Sequence, residues 1–126
     1  MPHDPYSLAG LLVVEIGLRQ AWPFITFTSD EEIGRPTELR LFIDTTCEVR
    51  PPPSHTLDLA SDDPAGTLHA LLELLNLTVA VVTVGPDGGL VLDFDGGSTL
   101  CVSGVAEAWT THDVWWLGDP HADTAH

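Results

Sequence analysis

The chain has 126 residues, a length that fits one folded domain, which we expect to span residues 1–126. Its charge is strongly unbalanced, because 19 acidic residues face only four arginines and no lysine, for a formal net charge of −15. Such a surface repels the phosphates of nucleic acids and anionic membranes, so we expect neither as a partner. It favours rapid capture of a basic protein, although solubility alone is an equally good explanation of the charge.

The N-terminal part of the chain begins with a lead-in and a strand. Residues 1–9 are expected to be frayed. Residues 10–18 then alternate between apolar and mixed positions, which is the pattern of a strand. The apolar face of this strand is predicted to comprise Leu12, Val14, Ile16 and Leu18.

Two further strands are predicted before the middle of the chain. Residues 22–28 are aromatic and β-branched, and Pro23 favours a place at the edge of a sheet. Residues 37–45 alternate cleanly, and three strands joined by short loops are typical of an antiparallel meander. The inward side chains of the third strand are predicted to be Leu39, Leu41 and Ile43.

A proline-rich connection and one helix come next. Residues 50–61 contain three consecutive prolines, which remove backbone donors and exclude a central strand. Asp63 is a suitable N-cap and Pro64 suits the first helical position. Since Asn76 is a suitable stop, we expect a helix over residues 64–76. Its apolar stripe is predicted to consist of Leu68, Leu71, Leu72 and Leu75.

The second half of the chain predicts strands again. Residues 87–89 and 95–97 both read Asp-Gly-Gly, a strong signal for tight hairpin turns between alternating runs. The first of these strands is apolar on both faces, which favours a central place in a sheet, and residues 118–126 are expected to be frayed. The predicted strands span residues 77–84, 89–95, 98–103, 105–110 and 113–117.

The fold class predicted from these patterns is α+β. The expected order is β-β-β-α-β-β-β-β-β, giving a mostly antiparallel sheet of about seven or eight strands. That sheet, or a split pair of sheets, packs on the one helix at about residues 64–76.

The cysteines and the N-terminus bear on localisation. Cys47 and Cys101 lie far apart and match no CxxC spacing, so we expect reduced thiols. The N-terminus has no basic segment of the kind that opens a signal peptide, and no apolar run approaches the ~18 residues of a membrane span. Cytoplasmic residence is therefore predicted.

No motif predicts catalysis or metal binding. The sequence contains neither a G-x-S-x-G nor an H-E-x-x-H pattern, and its six histidines are scattered. Asp93 and Asp95 form a D-x-D-G fragment like part of a calcium loop, but the further ligands and the closing glutamate are missing. Aspartates of a hairpin turn explain the fragment better. We therefore predict no catalytic residue, no metal and no cofactor.

Tryptophans crowd the C-terminal strands. Trp109, Trp115 and Trp116 fall within eight residues of one another. Because adjacent residues of a strand face opposite sides, either Trp115 or Trp116 is exposed unless both faces of the sheet are covered. An exposed tryptophan on an acidic surface is typical of an interface anchor.

The segment from Leu68 to Trp109 resembles a family of small bacterial proteins of unknown function. The shared pattern is a leucine-rich helical turn, an apolar strand, then G-x-L-x-L-x-F-x-D-G-x-x-L-x-V and E-A-W, with one extra residue in the turn here. The resemblance implies the same fold, and by analogy an immunity protein that neutralises a toxin. The residues that carry it are Gly88 or Gly89, Leu90, Leu92, Phe94, Asp95, Gly96, Leu100, Val102, Glu107, Ala108 and Trp109.

Two hypotheses about function follow. The first is a non-enzymatic, immunity-like or antitoxin-like protein that neutralises a basic toxin through its acidic surface. The alternative is a small-molecule-binding or regulatory accessory domain with an apolar pocket between sheet and helix. The partner-binding residues predicted under the first hypothesis are Asp30, Glu31, Glu32, Asp62, Asp63, Asp93, Asp95, Trp115 and Trp116.

Overall fold

The structure, a computed structural model, describes residues 4–19, 22–29, 38–50, 64–108, 110 and 113–118, and of residues 64–67 only the backbone. Within these ranges it contains two four-stranded sheets whose strand pairs are all antiparallel, together with one short α-helix. The prediction of a mostly antiparallel sheet structure with a short helix is confirmed at this level, and the sheet is split into two.

The first sheet holds the N-terminal meander. Its three consecutive strands pair in sequence order, as predicted, and the last strand of the chain adds to the third. β2 lies inside the sheet order, although Pro23 was expected to favour an edge. The strand accepts this proline because Pro23 is its second residue and the pairing with β3 begins only at Phe24. The strands, in spatial order, are β1 (Leu12–Arg19), β2 (Trp22–Thr28), β3 (Glu38–Ile43) and β8 (Trp115–Gly118).

The second sheet is built on two hairpins whose turns are the Asp-Gly-Gly segments, as predicted. Gly88, Gly96 and Gly97 have positive φ angles, which glycine adopts without the penalty that other residues incur. The strands, in spatial order, are β4 (Cys47–Arg50), β7 (Thr99–Val102), β6 (Leu90–Phe94) and β5 (Val79–Val84).

Two corners join the sheets. At one corner, β3 ends at Ile43 in the first sheet and β4 begins at Cys47 in the second sheet, so only three residues connect the two strands. At the other, the starts of β1 and β5 meet in a bridge between Leu12 and Thr78, and the backbone N–H of Val13 donates to the carbonyl of Leu77 at 2.9 Å. Strands that change sheets at bends are typical of such packing.

Both strands at the second corner are bulged. The pairing register shifts between Val13 and Glu15 in β1 and between Val79 and Val81 in β5. A bulge adds one residue and bends its strand. In β1 it turns Val13 into the core and leaves Val14 43% exposed, so the apolar face predicted for residues 10–18 is wrong before the bulge. After the bulge Ile16 packs against the core as predicted, but Leu18 is 43% exposed at the far end of the strand.

The helix α1 spans Pro64–Leu72 and starts at the predicted proline. It ends earlier than predicted, and Asn76, at φ 70°, occupies the left-handed conformation after the turn that follows. Its buried side also differs, because Leu72 is 43% exposed. The predicted N-cap Asp63 lies outside the described residues. The buried side chains of the helix and its following turn are Ala70, Leu71 and Leu74.

One contiguous core receives side chains from both sheets, from α1 and from the N-terminal segment. The predicted inward residues of β3, β6 and β7 all join it. Residues Pro5–Leu8 form a 3-10 helix whose Leu8 is fully buried, so fraying is wrong for this part of residues 1–9. Neither described helix is long and apolar enough to cross a membrane.

Three strand predictions are corrected. β4 was not predicted as a separate strand, since the third predicted strand ended at residue 45 and the proline-rich connection began at residue 50. Residues 105–108 and 110 are not strand, because a turn bond joins the N–H of Thr110 to the carbonyl of Glu107. β5 lies at the end of its sheet, where a central place was expected, and its Val81 is 53% exposed.

Gly104, in the loop after β7, packs closely against the backbone of the first hairpin turn. A Cβ at this position would lie 2.5 Å from the backbone nitrogen of Gly89 and even closer to the carbonyl oxygen of Asp87. Because backbone cannot move as a flexible side chain does, Gly104→Ala should lower the free energy of unfolding by about 1–3 kcal/mol. Urea denaturation measures it, with exposed Ala106→Ser as the control, and an equal effect in both variants would contradict this packing.

Candidate functional site: an aromatic outer face on the first sheet

Side-chain alternation gives the first sheet two different faces. In β2, Ile25 and Phe27 are fully buried in the core, so Phe24 and Thr26 point to the outer face. In β3 the core residues alternate with Arg40 and Phe42 in the same way. Phe42 is only 7% exposed although it lies outside the core cluster, so it is covered by neighbours on the outer face.

The two adjacent tryptophans of β8 face opposite sides, as predicted. Trp115 packs against the core, and its Nε1 donates a hydrogen bond to the carbonyl of Gly88 at 2.8 Å. Trp116 pairs with Phe42 and points to the outer face. Trp116 is therefore the outward tryptophan of the pair.

Four rings form a continuous cluster on this side of the sheet. Phe42 and Trp116 stack with centroids 5.2 Å apart and planes at 16°, and Trp22 meets Trp116 edge-on at 5.4 Å and 83°. Phe24 joins Phe42 at 6.0 Å. Stacked and edge-on pairs are the favoured geometries of aromatic rings. We call this cluster of Trp22, Phe24, Phe42 and Trp116 the aromatic face.

Two glycines on neighbouring strands leave room for the phenylalanine rings to pack against the sheet backbone. Gly17 pairs with Phe24, and a Cβ at Gly17 would stand 2.5 Å from Phe24 Cζ. Gly118 lies on β8 beside Phe42, where a Cβ would be 3.6 Å from Phe42 Cε2. A cross-strand aromatic ring over a glycine is a recognised way to cover exposed sheet backbone.

A polar triad borders the rings. The register places Glu15, Thr26 and Arg40 in one row across three strands. Arg40 Nε donates to Thr26 Oγ1 at 3.1 Å and Nη2 to Glu15 Oε1 at 2.9 Å, while Thr26 Oγ1 donates to Glu15 Oε1 at 2.8 Å. The Arg40 guanidinium also lies 4.2 Å from the centroid of Phe24. The triad is thus charge-compensated within a chain of net charge −15.

The two predicted acidic residues that the structure describes, Asp93 and Asp95, lie by the second sheet and not on the aromatic face. Asp93 lies on the outer face of the second sheet, where its Oδ1 accepts from Thr99 Oγ1 at 3.0 Å, and Asp95 is exposed in the adjacent turn. The other predicted acidic positions lie outside the described residues: Asp30, Glu31, Glu32, Asp62 and Asp63.

Sequence reasoning missed most of the aromatic face. Trp22, Phe24 and Phe42 were not predicted to form a surface, because no inner and outer face was assigned to β2. The alternation of β3 placed Arg40 outward but gave it no partner. A signal was available: both strands carry large apolar or aromatic residues at alternate and at intervening positions, as Phe24 and Phe27 do in β2. Such strands are apolar on both faces, and one of those faces needs a second cover.

Neither thiol is set up as a nucleophile. Cys47 and Cys101 are free and lie on opposite faces of the second sheet. Burial raises the pKa of Cys47 to about 11, and burial likewise raises the pKa of Cys101, opposed by the nearby charge of Arg50. Reactive cysteines instead have lowered pKa values. Within the described ranges, no three His, Cys, Asp or Glu side chains are placed to hold a metal ion.

Comparisons with known proteins add no relative. No protein-family model matches the chain, and searches of curated proteins and of solved structures found no match. The resemblance to small bacterial proteins stays a prediction. Its alternating positions, such as Leu90, Leu92 and Phe94, are fully or almost fully buried core residues of the second sheet.

The triad should couple energetically. In a double-mutant cycle, Glu15→Gln and Arg40→Met should show a coupling free energy of about 1 kcal/mol at low salt, reduced by salt because Glu15 is half exposed. Urea denaturation of the four proteins measures it. The exposed pair Glu48 and Arg50 serves as the control and should couple less, so strictly additive effects at Glu15 and Arg40 would contradict the contact.

The thiols should differ in reactivity. At pH 8, Cys47 with a pKa of about 11 has a thiolate fraction of about one in a thousand, so iodoacetamide should modify it about a hundredfold more slowly than an ordinary thiol. Cys101, which is less buried, should react faster than Cys47. Mass spectrometry of Cys47→Ser and Cys101→Ser separates the two rates, and faster modification of Cys47 would contradict its buried position.

Proposed function

We propose that this chain is a non-enzymatic protein-binding domain whose principal interface is the aromatic face. The observation that carries the proposal is the cluster of four rings on the side of the first sheet that faces away from the core. Tryptophan and other large side chains contribute most to the binding energy of protein interfaces, especially where they cluster and exclude water. Trp116 and Trp22, both half-exposed, are the anchors.

The partner is a basic protein. A chain of net charge −15 attracts cationic surfaces from a distance and accelerates their encounter. The rings then supply the short-range contact, and their faces also bind guanidinium or ammonium groups, as Phe24 already does for Arg40. Charge therefore sets the association rate, and the aromatic face sets the dissociation rate.

A biological role of the immunity or antitoxin kind fits these properties. An acidic domain that covers the cationic surface of a toxin would block its access to substrate, and the toxin's own charge would provide specificity. Cytoplasmic residence belongs to the same proposal. The alternative, an apolar ligand pocket between sheet and helix, has no supporting observation, since Leu71 and Leu74 are fully buried in the shared core.

The role is tested by genetics. Co-expression with the product of the adjacent gene should rescue growth if that product is a toxin, and the two proteins should co-purify. Rescue that survives Trp116→Ala and Trp22→Ala together would show that the aromatic face is not the interface.

Truncation of the outward tryptophan should weaken binding of that partner. Trp116→Ala should raise the Kd by about thirtyfold or more, mainly through faster dissociation, because a central aromatic anchor is worth about 2 kcal/mol or more. Surface plasmon resonance measures both rates, and a melting curve verifies the fold of each variant. Val105→Ala, at an exposed valine that is not part of the aromatic face, is the control and should bind as the wild type does.

Salt should act on association and not on dissociation. Raising the salt concentration to about 0.5 M should slow association about tenfold or more, because screening removes long-range attraction. An association rate that does not depend on salt would contradict the electrostatic part of the proposal. The role of the aromatic face is tested separately, by Trp116→Ala.

A further inference from the structure

The second sheet ends in a strand that has one partner. β5 pairs with β6 along its length. On its other side, its start is bonded to the N-terminal segment: Thr78 bridges to Leu12, the N–H of Val79 donates to the carbonyl of Leu11 at 2.9 Å, and the carbonyl of Val79 accepts from the N–H of Gly10 at 2.8 Å. Among the residues that the structure describes, no strand pairs with Val82–Val84 on that side.

The hydrogen-bond pattern identifies which backbone groups face this edge. The N–H of Gly85 donates to the carbonyl of Gly89 at 2.8 Å, which makes these two a hydrogen-bonded pair. Since such pairs alternate along an antiparallel ladder, Thr83 bonds to β6, whereas the N–H and C=O groups of Val82 and Val84 point away from it. On the other side of β6, the N–H of Phe94 donates to the carbonyl of Ser98 at 2.9 Å. The even-numbered residues of β6 therefore bond to β7 and the odd-numbered ones to β5, which agrees with this assignment.

The edge lacks most of the features that normally prevent pairing with another chain. Val79–Val84 contains no proline and no charged residue, and its bulge lies at the start of the strand, before Val82. Val81 is 53% exposed, and Ala80 and Thr83 are also exposed. An uncharged edge without proline is suited to β-strand addition.

Aspartates surround the edge. Asp93 pairs with Val81 across the ladder. Asp95 is exposed beside the start of β5, where its N–H donates to the carbonyl of Thr78 at 2.9 Å. Asp87 is exposed in the turn after the strand. Acidic side chains therefore lie near both ends of β5, and a third lies on the neighbouring strand β6.

We propose that the free edge of β5 accepts an extended segment of a partner protein that carries lysine or arginine side chains. The backbone of Val82 and Val84 bonds to the segment, and Asp87, Asp93 and Asp95 select its charge. A second copy of this chain fits poorly, because it would bring the same aspartates and another net charge of −15 to the edge. This site is on the other sheet from the aromatic face and does not depend on the function proposed for that face.

Amide hydrogen exchange tests the edge directly. The probe is a synthetic octapeptide in which valine and lysine alternate, and the matched control replaces each lysine with glutamate. In the free protein, the amides of Val82 and Val84 should exchange faster than those of Val81 and Thr83, which bond to β6. The lysine peptide should slow exchange at Val82 and Val84 about tenfold, and the glutamate peptide should not.

Variants separate charge from fold. Val81→Lys should weaken binding of the lysine peptide about fivefold, whereas Val81→Thr, equally exposed and uncharged, should have a smaller effect. Trp116→Ala should leave peptide binding unchanged, which distinguishes this site from the aromatic face. The proposal is overturned if Val82 and Val84 are already protected in the free protein, if both peptides protect equally or not at all, or if protection rises with protein concentration alone.

Discussion

Side-chain alternation in β2 and β3 is the constraint on which the rest of this structure depends. One set of side chains, including Ile25, Phe27 and Leu41, enters the core, and the intervening set then has to point outward. In most sheets with one solvated face the outward set is polar, but here it contains Phe24 and Phe42. The inner set is covered by the second sheet and α1, and the outer set by rings stacked on one another and on glycine. The aromatic face is therefore a direct consequence of how these two strands are built.

The sequence allowed prediction of those elements in which local chemistry and tertiary packing agree. The Asp-Gly-Gly hairpins, the inward residues of β3, β6 and β7, and the proline at the start of α1 were all predicted, since each depends on turn geometry or on period-two alternation. The bulges were not predictable, because a bulge changes which residues face the core without changing composition. β5 was expected to be central because it is apolar on both faces. In the structure one set of its apolar side chains enters the core, and Val81 is exposed at the edge of the sheet.

The site was predictable only in part. Strand alternation alone showed that one of Trp115 and Trp116 points outward, but the choice depended on which of the two meets the core. The triad of Glu15, Thr26 and Arg40 needed the register of three strands, which depends on the bulge in β1. The acidic positions Asp93 and Asp95 were found from the sequence, yet they lie by the second sheet, away from Trp116. Charge count alone does not show where on the fold a charge lies.

The claim that the aromatic face is the interface is tested most directly by the indole N–H resonances of the tryptophans in a nitrogen-15 spectrum. The protein that co-purifies with this chain is titrated in, and the resonances are assigned by replacing one tryptophan at a time. The account predicts that the resonances of Trp22 and Trp116 shift, whereas that of Trp115, whose Nε1 is bonded to the carbonyl of Gly88, does not. Binding that leaves the resonances of Trp22 and Trp116 unshifted would contradict the claim that the aromatic face is the interface.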